Sequence, residues 1–273
     1  MQEAIGTRLG EGLRESGHLA DVPMRRTLDA VRKLAFEAKK HVSTMHAIAT
    51  SAVRRADNAG IFADSVANIT GARLDVLCGE DEARYSFAGA LAAHPPATRT
   101  ARVGVLDVGG GSSEYAIGSS AGVERSVSCE IGAVRLTERE PAFGGLSGAK
   151  PDAVNARALA RQALVPLEAL RGAHSLYAVG GSATTIGAIL KNGNRDAVDG
   201  LLVERADVQA LIARLLDLPL AKRQTIPGLN PQRADIFPAG MVIIDEALAL
   251  LGAERMLLST GDLLLGYLYE HEI

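Results

Sequence analysis

Two carboxylates, Asp107 and Glu114, flank the turn Gly109-Gly110-Gly111-Ser112-Ser113. Three successive residues without a Cβ let backbone N–H groups converge on one point, a nest that suits phosphate oxygens, and the serines add hydroxyl donors. Two acids beside an anion site need a divalent metal or a proton between them, so the stretch reads as a site for phosphate and a metal. The same glycines also suit a tight hairpin that uses positive φ and carries two surface acids. A second turn of phosphate type, Gly180-Gly181-Ser182-Ala183-Thr184-Thr185, follows the apolar run Ser175 to Val179 and opens a helix. Unpaired N–H groups and the helix dipole favour an anion there, and tight strand-to-helix packing asks for the same residues. A third polar run, Gly79-Glu80-Asp81-Glu82-Ala83-Arg84, puts three acids into a first helical turn, which capping and the dipole would explain unaided.

The elements that must position these residues alternate along the chain. Residues 1 to 19 are punctuated by glycine and hold no convincing strand. Asp21 and Pro23 then cap an amphipathic helix through Met24, Leu28, Val31, Leu34 and Ala38. A strand from Met45 to Ala49, a turn with Arg54 and Arg55, a helix around Phe62, Val66 and Ile69 stopping at Gly71, and a strand from Leu74 to Cys78 follow. His94-Pro95-Pro96 reads as a crossing between subdomains. Beyond it the hairpin continues into a third strand, Gly122 to Glu130, then the loop 143–148 and a helix from Pro151 to Leu170. Helices Ala206–Leu216 and Ile236–Leu251, a strand Arg255–Ser259 and a helix from Gly261 complete an α/β pattern. Val108-Gly109-Gly110 and Val179-Gly180-Gly181 resemble each other closely enough to face one cleft.

Composition narrows the partners. The 273 residues are 47% hydrophobic, with mean hydropathy +0.11, enough for one large core or two subdomains. Net charge is −3 and the pI about 6.1, which gives no basic field for nucleic acid. Aromatic residues are 4% of the chain with no Trp, so a platform for stacking bases lacks material. No run approaches the length of a membrane span, and no basic-then-apolar leader opens the sequence. Cys78 and Cys129 fall in apolar runs and read as reduced core thiols, which implies a cytoplasmic protein. The six histidines show no ligand spacing, so hydroxyls and carboxylates must carry the chemistry.

In this order the segments Arg8 to Leu13, Ala49 to Arg54 with Asn58, Gly79 to Arg84, Asp107 to Glu114, Gly132 to Thr137 and Gly180 to Thr184 resemble the exopolyphosphatase and guanosine pentaphosphate phosphatase (Ppx/GppA) family, within the actin-like ATPase superfold. The resemblance implies a ribonuclease H-like, two-subdomain α/β architecture, with subdomains at 1–98 and 99–273. It implies Mg²⁺-assisted hydrolysis of a terminal phosphoanhydride bond in inorganic polyphosphate or guanosine pentaphosphate. Glu82 takes the place of the general base in this scheme, and Asp107 and Glu114 those of metal- and phosphate-organising acids. Arg54 matches a phosphate-binding arginine, and Gly109, Gly110, Gly111, Ser112, Gly180, Gly181, Ser182 and Thr184 match phosphate loops. Relatives carry strands and an Asp-x-Gly-Ser-Asn-Ser loop ahead of the segment that starts here at Arg8, so an incomplete N-terminal subdomain is expected, with self-association, as a homodimer, to cover its sheet edge. Leu263-Leu264-Leu265 stands where relatives have an arginine-glutamate pair. The alternative expectation is a catalytically impaired sensor that binds a phosphate chain or alarmone, with an ATP-using member of the superfold ranked behind it.

Overall fold

The computed structural model describes residues 3–145 and 151–271. Of the expected loop 143–148, the part after Gly145 lies outside the described residues. The chain divides into two compact units, Met1–Gly79 and Glu80–Ile273.

The first unit comprises α1 (Leu13–Ser16), α2 (Asp21–Ala38), β1 (Ala47–Ala49), α3 (Ser51–Arg54), α4 (Ala59–Thr70) and β2 (Leu74–Val76). Leu13, Leu28, Val53, Phe62, Val66 and Leu74 form its core, and β1 pairs with β2 in parallel. Asp21 is the first residue of α2 rather than its cap, which is Ala20. Gly71, at φ 80°, closes α4 as expected. The Asn58 amide spans the backbone of Leu19, accepting from its N–H at 2.8 Å and donating to its carbonyl at 3.0 Å. β2 ends two residues earlier than the pattern suggests, and Cys78 is therefore exposed rather than in a core.

The second unit comprises α5 (Gly79–Ala93), β3 (Val103–Val108), β4 (Ser113–Ser119), β5 (Gly122–Cys129), α6 (Ala133–Arg139), α7 (Ala153–Leu164), β6 (Ser175–Val179), α8 (Gly180–Leu190), β7 (Leu202–Glu204), α9 (Arg205–Leu216), α10 (Leu220–Arg223), α11 (Phe237–Leu251), β8 (Arg255–Leu258) and α12 (Leu263–Glu270). Among the described residues its sheet has the order β5-β4-β3-β6-β8-β7. The antiparallel meander β3-β4-β5 is continued by β6 and β8, parallel to β3, and by antiparallel β7 at the edge. Strand alternation splits the side chains between two layers. Leu106, Val108, Tyr115 and Ile117 enter the main core with α7, α8, α9 and α11. Val103, Val105, Ala116, Tyr177 and Val179 pack on Ala83, Phe87 and Ala90 of α5. That packing assigns α5 to the second unit, and the division between the two units falls ahead of this helix. The sequence pattern also missed α6 and β7, which are too short to show a period. The expected helix 151–170 is α7 followed by a 3-10 turn, Val165–Leu170, with Pro166 near its start. Among the described residues no helix is long and apolar enough to cross a membrane.

Nearly every residue of α11 is buried, including Asp245 and Glu246. Asp245 is 0% exposed and is tolerated because it accepts from Arg205 Nε at 2.7 Å, from Gln209 at 3.1 Å and from Arg157, which also reaches Glu246 at 2.7 Å. The cluster ties α7, α9 and α11 together. Asp245→Ala strips the acceptor from two guanidinium groups and is expected to cost about 3 kcal/mol, read as a lower thermal midpoint of the full chain.

Candidate active site

Alternation along β3 and β4 puts Asp107 and Glu114 on the face covered by α5, with Val105 and Ala116. The two acids are direct partners in the antiparallel register. Glu82, in the first turn of α5, is buried, and Ser86 follows one turn later on the same face. The Ser86 hydroxyl donates to Asp107 Oδ2 at 2.8 Å. From the other side Ser128, the register partner of Glu114 on β5, donates to Glu114 Oε1 at 2.7 Å.

This crowding sets the electrostatics. Burial first, then the charges of Glu82 and Asp107, push the Glu114 carboxyl up to about 8, against hydrogen bonds from Ser128 and Ser112. Burial raises Asp107 as well, with Asp262 adding to the shift and Ser86 opposing it. Four carboxylates therefore influence one another at this end of the sheet. Among the described residues no group of three or more His, Cys, Asp or Glu could hold a metal alone. Two carboxylate donors with the remaining positions left to water and phosphate oxygens are nonetheless the usual setting for Mg²⁺, so the donor set fits that ion.

The glycine triplet does not use positive φ; none of Gly109, Gly110 and Gly111 is left-handed. The turn closes through Gly109 N–H to the Ser112 carbonyl at 3.1 Å, and the Gly109 and Gly110 carbonyls accept from Ala133 and Val134 at 2.9 Å each. Close approach requires glycine at position 132, which packs on this turn. A Cβ on Gly132 would lie 2.4–2.6 Å from the Gly110 and Gly111 backbone. The N–H groups of Gly110 and Gly111 have no acceptor among the described residues.

At the second turn Gly180 is left-handed, φ 79°, and its Cβ would stand 2.4 Å from Asp107 Oδ1. The start of α8 is thus pressed against the acid pair. The Ser182 hydroxyl donates to the Val108 carbonyl at 3.0 Å and Thr184 to the Gly180 carbonyl at 2.9 Å. These two hydroxyls, expected on phosphate, instead brace β3 and the helix start. Ser112 is buried and opposes the rise of the Glu114 carboxyl.

Sequence reasoning missed Ser86, Ser128 and Arg233. Only Ser86 left a signal, its i, i+4 spacing from Glu82. Arg233 ends the 3-10 turn Pro231–Arg233, and a Cβ on Gly181 would fall 2.0 Å from its Nη1. Burial and the charge of Arg195 make this guanidinium less readily protonated than usual, and no acid offsets them. Among the described residues the Arg233 guanidinium has no hydrogen-bond or ion-pair partner. A cation beside the positive end of α8 is an arrangement that suits an anion. Arg54 belongs to the first unit, where it is partly buried and donates to the Leu77 carbonyl at 2.6 Å.

The sheet order, with a glycine turn and paired acids at one end of the central strands, is that of the actin-like ATPase fold. The sequence matches the Ppx/GppA phosphatase family over residues 1–272, and the chain belongs to that family. It is 30% identical over 283 residues to exopolyphosphatase 2 of Mycobacterium tuberculosis, covering 95% of this chain and 85% of the relative. It is 26% identical over 274 residues to a bifunctional 3-dehydroquinate synthase/phosphatase of Fusobacterium nucleatum, covering 96% of this chain but 40% of that longer protein. The crystal structure of an exopolyphosphatase-like protein superposes with TM-score 0.88 at 26% identity, covering 99% of this chain and 92% of the other.

The raised Glu114 carboxyl gives stability a sign. Because its folded value lies above the unfolded one, its contribution is full below about pH 4.5 and is lost as pH rises through about 8. Without divalent cation, chemical denaturation is expected to show stability falling across that window, and Glu114→Gln to flatten the fall. Arg233→Leu is expected to weaken inorganic phosphate binding about 10- to 100-fold in calorimetry, while raising the thermal midpoint by removing a half-buried guanidinium that no acid pairs.

Proposed function

We propose that this protein hydrolyses the terminal phosphoanhydride bond of phosphate chains, with inorganic polyphosphate as substrate and guanosine pentaphosphate as a second compound bearing the same terminal group. The observation that carries the reading is the buried Glu82 carboxylate at the start of α5, electrostatically coupled to the Asp107–Glu114 pair beside two anion-ready turns. The exopolyphosphatase relatives support the choice of substrate.

Phosphoryl transfer needs positioning and charge neutralisation more than covalent chemistry. The Gly110 and Gly111 N–H groups, the first turn of α8 and Arg233 hold the terminal phosphoryl oxygens and offset the charge that develops on them. Glu82 accepts the proton of the attacking water. Asp107 and Glu114 would hold Mg²⁺, which supplies charge neutralisation at the phosphate oxygens when bound. Arg54 is assigned a phosphate-binding role on the family pattern alone.

Phosphate release from polyphosphate and from guanosine pentaphosphate, with Mg²⁺ and with chelator, is the direct assay. Turnover is expected with Mg²⁺, and Glu82→Gln is expected to lower kcat about 10²- to 10⁴-fold while still binding phosphate. Failure of the parent to release phosphate from either compound, with binding intact, would select the sensor reading; a fully active Glu82→Gln protein would remove the base.

A further inference from the structure

Ser86 and Ser128 lie outside every motif that carries the family resemblance, yet each gives its hydroxyl to one of the two paired acids. Ser86, 2% exposed, meets Asp107 Oδ2 at 2.8 Å from α5. Ser128 meets Glu114 Oε1 at 2.7 Å from β5. Like charges directly opposite each other on neighbouring strands repel, so an unrestrained pair would swing apart. An aspartate turns broadly about its last torsion and a glutamate has three torsions to fix. With Oδ2 held by Ser86, Oδ1 of Asp107 is left against Gly180.

The backbone itself is shaped for the Ser128 contact. The register of β4 with β5 shifts between Ile117 and Gly118, where Gly118 faces Val123 but Ile117 faces Arg125. Glu124 is the extra residue. Were it paired in step with Ile117 instead of bulged out, Val127, not Ser128, would stand opposite Glu114, and the carboxylate would face an apolar side chain. A bulge gives up ladder bonds and commonly serves to re-aim a side chain near a site.

We infer that Ser86 and Ser128 are positioning residues that hold Asp107 and Glu114 in one shared orientation, in which the two acids would hold a divalent cation. The inference rests on the reading of that acid pair as the cation site. Partners of this kind, which orient metal ligands without touching the metal, typically change metal affinity about 10- to 100-fold when removed.

The test is calorimetric titration of the purified full chain with Mn²⁺ and with Mg²⁺, without substrate, alongside thermal melting. Ser86→Ala and Ser128→Ala are each expected to weaken cation binding about 10- to 100-fold with the melting curve little changed, and Ser128→Thr, which keeps the hydroxyl on a strand, to restore it. In phosphate-release assays the same variants should need more Mg²⁺ for half-maximal rate yet approach the parent kcat at saturation. A parent that binds cation while both alanine variants bind it equally well overturns the inference alone. A parent that binds no cation overturns it together with the assignment of Asp107 and Glu114 to a metal.

Discussion

The feature on which the second unit depends is the repulsion between two carboxylates placed opposite each other on β3 and β4, away from bulk water. Left alone, such a pair would protonate or splay. The surrounding structure restrains it at every point: hydroxyls from α5 and β5 hold one oxygen of each acid, the start of α8 abuts a third oxygen, and the glycine turn between the acids is anchored to α6. A cation and the oxygens of a phosphate chain would complete what the protein leaves unfinished there.

The same logic of incomplete compensation applies to the positive groups. Arg157 and Arg205 are paired with Asp245 and stabilise the helical layer. Arg233 has no such acid and lies against the start of α8, where the peptide dipoles also point their positive end. The contrast with Arg157 and Arg205 is what makes Arg233 the candidate for an external anion. Negative and positive groups are thus held apart on one sheet end, as phosphoryl transfer with a metal requires.

Glycine illustrates how a motif can be read correctly for an incomplete reason. The triplet at 109–111 suggested positive φ; none of its residues is left-handed, and the glycine that close approach to this turn demands is Gly132 of a neighbouring loop. At Gly180 both demands hold at once, the left-handed backbone and the contact with Asp107. Ser182 and Thr184 matched a phosphate loop by position, but their hydroxyls are committed to carbonyls of the protein. Neither distinction is visible in residue type.

What the sequence determined by itself was local: apolar runs ending in glycine turns, acids in a first helical turn, Gly71 as a helix stop, and an ordered set of motifs sufficient for the family and the α/β class. These are properties of neighbours along the chain, where backbone freedom, dipoles and side-chain period act over a few residues. The tertiary structure alone decided which hydroxyl meets which acid. A single bulge at Glu124 selects Ser128 over Val127, α5 joins the second unit through Phe87 and Ala90, and Arg233 arrives from a segment without periodicity. Register and long-range packing are set by the sum of many contacts, and a shift of one residue in that sum changes the chemistry while leaving the local pattern untouched.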